Sequence, residues 1–207
     1  MPISKKKKVP ALPVKKKSAS RKPTPIKLVI GLGNPGKEFD MTRHNIGRDI
    51  VLSLAETYDI EPRETKEALV CEGKINDTKA LLLLPELFMN NSGKSIKQYV
   101  QKFKPSQVLV VHDDVDIPFG SMKLSFGKHS AGHKGVESVM RAFGSIELWR
   151  LRVGIAPLGK KKIPAMQLVL KKFTPGEQTA LKKVTKKAVS ILETAIIESP
   201  EKAISVQ

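Results

Sequence analysis

Short aliphatic runs alternate along this chain with segments of helical period, and that alternation constrains the fold more than any other feature. Ile26 to Leu32 is a short apolar run ending at glycine, and Val108 to Val111 is another, so both predict buried strands. Ile46 to Tyr58 carries Ile46, Ile50, Val51, Leu54 and Ala55 at the spacing of an amphipathic helix. Ala68 to Ile75 and Lys79 to Leu84 read as strands joined by a turn at Asn76-Asp77. A helix starting near Ser92 would place Ile96, Tyr99, Val100 and Phe103 on one face. Met122 to Phe126 is a weaker strand, Val136 to Phe143 a helix, and Leu151 to Ile155 a strand among the arginines Arg150 and Arg152. Gln178 to Glu198 is the best-defined helix, with Leu181, Val184, Ala188, Ile191, Leu192 and Ala195 inward and Lys182, Lys183, Lys186 and Lys187 outward. The expected fold is α/β, one domain over residues 26–200 with a mixed, mostly parallel twisted sheet flanked by helices and a tail at 201–207.

At 207 residues the chain is long enough to bury a full core. Its longest purely aliphatic string is Leu81 to Leu84, far below the roughly 20 residues of a bilayer crossing, so no membrane partner is expected. Cys71 is the only cysteine, which excludes an internal disulfide and makes a reducing, cytoplasmic setting the default. The net charge of +17 points to polyanions, nucleic acid first. Residues Met1 to Lys27 hold ten Lys or Arg and no acid, leaving 27 basic against 20 acidic residues in the rest. Met1 to Pro25, broken by five prolines, reads as a disordered basic arm; a solvated tail and a nonspecific RNA-binding arm are both open for it.

Gly31-Leu32-Gly33-Asn34-Pro35-Gly36 satisfies the dinucleotide pattern G-x-G-x-x-G directly after a strand. That fingerprint needs the loop to open into a helix facing the pyrophosphate, and Lys37 to Asn45 shows no helical period. Pro35 also biases Asn34 away from helical dihedrals. A tight turn that aims Asn34 off a strand end fits better, and no nucleotide cofactor is expected.

Six blocks then fall in order. They are Gly31 to Gly36, Thr42-Arg43-His44-Asn45-Ile46-Gly47, Phe88-Met89-Asn90-Asn91-Ser92-Gly93, His112-Asp113-Asp114-Val115-Asp116, Gly132-His133-Lys134-Gly135 and Arg150 to Ile155. In order and spacing they resemble the bacterial-type peptidyl-tRNA hydrolases from about Lys27 to about Glu198, with the arm outside. The resemblance implies hydrolysis of the ester joining a peptide to the 3′ ribose of tRNA, with the tRNA acceptor stem and 3′ end as partner, a monomer, and neither metal nor other cofactor. A noncatalytic RNA-binding relative on the same scaffold is the alternative, and a dinucleotide-dependent enzyme a third reading.

The residue chemistry can be read beside it. An ester to a ribose oxygen has a good leaving group, so one positioned water and one general base suffice. Of four histidines, His44 sits in a polar loop between a strand and a helix, where a side chain can face a ligand, although an idle loop histidine is the plain alternative. Asp113 follows the run Val108 to Val111 and should emerge at the strand's carboxyl end, where open α/β sheets keep their ligand crevice. In the family the first acid of this block holds the imidazole, which carries over to Asp113. A turn, or a divalent cation held by Asp113, Asp114 and Asp116, competes with that reading. Asn34 and Asn90 donate and accept without titrating, and in the family these positions orient substrate and water; Asn90 would serve equally as a helix cap. Met89 would wall a peptide pocket or simply fill core. With no G-x-S-x-G, a serine nucleophile is disfavoured.

Two positions depart from the family. Lys134 stands where it usually has asparagine, and a cation there cannot accept a hydrogen bond, though it can meet a tRNA phosphate. Phe39 stands for its tyrosine, keeping the aromatic face without the hydroxyl. Both are kept as substrate-binding residues. Lys123 and Arg152 are the implied contacts to acceptor-stem phosphates, with Ser125 the alternative match to Lys123 and a structural ion pair the alternative for Arg152.

Overall fold

Strand β1, Leu28–Gly31, is buried along its whole length because it runs through the middle of the sheet. The computed structural model describes residues 23–157, 159 and 163–206, so the basic arm through residue 22 lies outside the described residues. After β1 come α1 (Ile46–Thr57), β2 (Arg63–Glu64), β3 (Ala68–Ile75), β4 (Thr78–Pro85), α2 (Ser92–Ser95), α3 (Lys97–Val100) and β5 (Val108–Pro118). Then follow β6 (Met122–Phe126), α4 (Lys134–Phe143), β7 (Trp149–Ala156), α5 (Ala165–Val169), α6 (Pro175–Ile197) and α7 (Pro200–Ala203). The sheet order is β2-β3-β4-β1-β5-β7-β6. The four central strands β4, β1, β5 and β7 are mutually parallel, and antiparallel pairings add β3, β2 and β6 at the edges.

Strand alternation divides the core. Val29, Leu82, Leu109, Val111 and Leu151 face α1 and α6, whereas Leu28, Ile30, Leu83, Val108 and Val110 face α2 to α4. Helix α6 buries Val184, Ala188, Ile191, Leu192 and Ala195 and leaves its four outward lysines exposed, as its period predicts. It starts earlier than that period shows, because Thr174 and Glu177 form a capping box around Pro175. The segment predicted as one helix from Ser92 is two short ones that break at Ile96, although Ile96 and Tyr99 are buried as expected. Around residue 200 the chain forms α7, capped by Ser199, with Ala203 buried.

The difference that matters for function is in β5. The apolar run ends at Val111, but the strand continues through His112, Asp113 and Asp114 to Pro118, paired with β7. β1 stops at Gly31 opposite Val111. Asp113 therefore lies inside a strand, not after one, at the level where its neighbour has ended. No helix follows Gly31 to Gly36; the chain makes a 3-10 turn at Lys37–Phe39 and reaches α1 only at Ile46.

Helix α1 is pressed onto this junction. The Arg48 N–H donates to the Leu32 carbonyl at 2.9 Å, and a Cβ on Gly47 would stand 2.3 Å from the Val111 carbonyl oxygen. Gly47→Ala must push α1 off the sheet, and overpacking of this kind costs about 1–3 kcal/mol. Thermal unfolding should show a lower Tm, by about 2–4 °C per kcal/mol for a domain of this size.

Candidate active site

Where β1 ends and β5 continues, a cleft of about 520 Å³ opens, lined by Asn34, His44, Met89, Asn90, Asp113, His133 and Lys134 among others. This is the carboxyl end of the parallel strands, where an open α/β sheet exposes its loops.

His44 reaches the cleft from a 3-10 turn, Arg43–Asn45, directly before α1. Two sides hold that turn. Thr42 bridges to Lys172, the Arg43 N–H donates to the Lys171 carbonyl, and the Phe173 N–H donates to the Met41 carbonyl. The Arg43 guanidinium is buried, donates to the Ile155 carbonyl at 3.0 Å and to Glu177, and stacks over Phe173 at 4.8 Å. Burial alone would push the Glu177 carboxyl up, but hydrogen bonds from Arg43 and Thr174 outweigh it and hold the group below its usual range.

Asp113, 1% exposed, accepts at a single oxygen, Oδ1, from His44 Nδ1 at 2.7 Å and from His133 Nε2 at 3.0 Å. A carboxylate only accepts, so both ring nitrogens carry protons. At His133 the other nitrogen is also assigned: Nδ1 accepts from the Val136 N–H at 3.2 Å, capping α4. His133 is thus a neutral imidazole with its proton on Nε2. His44 donates through Nδ1, so in its neutral form the lone pair lies on Nε2. Burial would raise the Asp113 carboxyl, yet His133 and His44, both donating to it, hold it well below the carboxylate range. His112 donates its Nδ1–H to the Asp113 carbonyl at 2.7 Å. Burial first of all, with the Arg150 charge adding to it, lowers the His112 pKa well below normal, so it stays neutral. Arg150 is itself buried, and burial with the neighbouring Arg152 charge pushes it down to about 10, still cationic at neutral pH.

Asn34 lines the cleft, but its Oδ1 accepts from the Met89 N–H at 2.8 Å, which leaves the Nδ2 amide to face a ligand. Asn45 locks the Asn34 backbone from both sides, accepting from its N–H and donating to its carbonyl. Met89 is buried in the wall and Asn90 is exposed on the rim; the cap position of α2 falls to Asn91. Lys134, the first residue of α4, is exposed and lines the cleft. Phe39 stands behind the wall, edge-on to Phe88 with ring centroids 6.1 Å apart. Lys123 and Arg152 are direct cross-strand partners on β6 and β7. Arg152 donates to Asp114 at 2.7 Å, the ion pair that was its alternative reading, while Lys123 is exposed. Sequence reasoning assigned no role to Arg43 or His133. His133 had a signal, a histidine one residue before a helix; the partners of Arg43 are over a hundred residues away and leave none.

His44, Asp113 and His133 also place three ligating atoms within 4.8 Å of one another. Ligation by His133 Nε2 would move its proton to Nδ1, against the Val136 N–H already pointing there. The cluster fits shared protons better than a metal ion. A neutral imidazole held by a buried carboxylate, with its free nitrogen toward an open cleft, can act as a general base for water.

The family model described as peptidyl-tRNA hydrolase matches residues 28–206. The chain belongs to the peptidyl-tRNA hydrolase family. The peptidyl-tRNA hydrolase of Aquifex aeolicus is 41% identical over 182 residues, 86% of this chain and 94% of that one. That of Syntrophomonas wolfei is 38% identical over 171 residues, 81% and 92% of the two chains. The crystal structure of peptidyl-tRNA hydrolase from Acinetobacter baumannii superposes with a TM-score of 0.80 at 31% identity, covering 87% of this chain and 93% of that one. The family match thus takes in the whole described cleft and begins one residue after Lys27.

In this family member, nitrogen-15 spectra at alkaline pH should report His44 protonated on Nδ1, His133 on Nε2 and His112 on Nδ1; the reverse tautomer at His44 contradicts the hydrogen-bond assignment. Glu177 is held below its usual range, so its stabilising contribution is present at neutral pH and is lost as pH falls through its folded value. Glu177→Gln should therefore lower the unfolding free energy more at pH 7 than at about pH 3.

Proposed function

We propose that this protein hydrolyses the ester between a peptide and the 3′ ribose of tRNA, with His44 as general base. The observation that carries the reading is the 2.7 Å bond from His44 Nδ1 to the buried Asp113 carboxylate: with Nδ1 engaged, Nε2 is the ring nitrogen left for a ligand in the cleft that His44 lines. Nε2 takes a proton from water as the water oxygen attacks the acyl carbon. The imidazolium then returns that proton to the departing 3′ oxygen, leaving a free carboxyl on the peptide and a hydroxyl on the tRNA. Asp113, already charged, stabilises the imidazolium between the two steps.

On this reading the Nδ2 of Asn34 and the Asn90 amide orient water and steady the developing oxyanion; both residues line the same cleft as His44. Met89 forms the buried wall of the peptide side, and Phe88, Met166 and Leu170, each more than half exposed, extend it outward. Large apolar groups left exposed at a cleft mouth suit side chains of a peptide of no fixed sequence. Phe39 supports Phe88 from behind. On the tRNA side, Lys134 at the rim and the exposed Lys123 meet phosphates, with Arg152 held beside Lys123 by Asp114. On this reading the protein works as a monomer in the cytoplasm. Among the described residues no helix is long and apolar enough to cross a membrane.

The test is release of peptide from purified peptidyl-tRNA. His44→Ala should lose about 10²–10⁴ in kcat, the usual worth of a positioned base, with tRNA affinity little changed. Equal turnover by the variant would overturn the assignment.

A further inference from the structure

Behind the cleft, its apolar wall and the turn carrying His44 meet along one seam. Ala165, Met166, Val169 and Leu170 reach the cleft from α5 and the residue after it. Directly downstream, the backbone of Lys171, Lys172 and Phe173 pairs with that of Arg43, Thr42 and Met41. The seam imposes a conformation that the turn does not adopt unaided. Met41 enters it at φ 62°, in the left-handed region that a non-glycine residue seldom occupies unless its surroundings enforce it. The turn itself is three residues of 3-10 helix, and the Thr42 side chain does not cap it, since its hydroxyl donates to the Phe39 carbonyl. The side-chain anchor is the buried Arg43 guanidinium, whose three contacts lie on three different segments: the Ile155 carbonyl of β7, Glu177 in the first turn of α6, and the Phe173 ring of the seam. Each of these is itself fixed. The Glu177 oxygen that meets Arg43 also accepts from the Thr174 N–H and hydroxyl, and Phe173 is part of the core. A planar fork with two bonded nitrogens and a stacked face sets position and orientation together, which a lysine ammonium cannot do.

We infer that Arg43 is a positioning residue for the hydrolysis, holding the His44 ring in register with both Asp113 and the α5 wall. Arg43 does not line the cleft, so it acts through the residue that follows it. The inference rests on the proposed esterase reading for the reaction that is measured, and adds that the base is set from β7 and α6, more than a hundred residues downstream. The His44 ring has one hydrogen bond, from Nδ1 to Asp113. A single bond leaves a ring free to pivot about it, so the direction of Nε2 follows from where the turn places the His44 backbone. A shift of about 1 Å in a reacting group costs on the order of 10²-fold in rate, and an anchor on three rigid segments removes that freedom.

Peptide release from peptidyl-tRNA is measured for the full chain and for Arg43→Lys, Glu177→Gln and Tyr58→Phe, each shown to be folded by its thermal transition. Arg43→Lys keeps the charge and loses the fork, and its kcat should fall on the order of 10²-fold with KM little changed. Glu177→Gln leaves Arg43 on Ile155 and Phe173, so it should lose less in the same direction, and it decides the matter if Arg43→Lys does not fold. Tyr58→Phe removes a different bond to α6, the 3.0 Å contact with Glu193 from the far end of α1, and should keep the wild-type kcat. Nitrogen-15-edited spectra give a readout independent of turnover. Solvent exchange of the His44 Nδ1 proton should quicken in Arg43→Lys, while the His112 Nδ1 and His133 Nε2 protons exchange as in the wild type. Unchanged kcat and unchanged exchange in the folded variants overturn the inference. So does a rise in KM alone, and so does an equal loss in Tyr58→Phe, which makes the effect one of general stability. Failure of the wild-type chain to release peptide would defeat the esterase reading alone, since the His44 exchange rate still decides whether Arg43 positions the ring.

Discussion

One buried oxygen organises the site. Asp113 Oδ1 receives protons from two imidazoles on different elements, one preceding α1 and one preceding α4. Taking a carboxylate out of water is costly unless its charge is met by donors, and here the donors are side chains of the cleft itself. The Val136 N–H prevents His133 from presenting its other tautomer, so its Nε2 proton is committed to Asp113. His44 is then oriented by a partner whose own protonation is settled. The neutral His112 beneath adds a hydrogen bond to the Asp113 backbone without adding charge.

That arrangement depends on unequal strand lengths. If β1 continued beside β5, a backbone would occupy the space over Asp113 that the cleft now takes. β1 ends at Gly31, and the following turn instead delivers Asn34, whose side chain is fastened to Met89 and whose backbone is fastened to Asn45. The loop carrying His44 is held from the far side by the buried Arg43 and by the pairing of Thr42 with Lys172. It is thus clamped between the sheet and the start of α6, which is how a short 3-10 turn can hold an imidazole in place.

Much of this was legible in the sequence where the information is local. The amphipathic period placed α1 and most of α6, and the aliphatic runs placed the central strands. Thr174-Pro175-Gly176-Glu177 was a readable helix start, masked because Lys172 to Gln178 lacks an apolar period. The break at Ile96 was not legible in the apolar spacing, and neither was the close packing of Gly93 on α4, where a Cβ would meet the Ser138 carbonyl at 2.2 Å, because that requirement is set by a helix some forty residues away. The extension of β5 through two adjacent aspartates ran against strand propensity; β7 pairs with it and Arg152 meets Asp114, so tertiary contact overrode the local preference.

By itself the sequence determined the alternation of strands and helices, the candidacy of His44 as base and the uneven charge, because periodicity, residue chemistry and composition are properties of neighbours along the chain; Asp113 as the carboxylate holding that imidazole came from the family resemblance. Tertiary structure alone decided that His44 and His133 share one oxygen of Asp113, that Arg43 anchors the turn carrying His44, and that Arg152 is held by Asp114. Each of these joins residues distant along the chain, and their distance in space is fixed by sheet order and register, which no local pattern encodes.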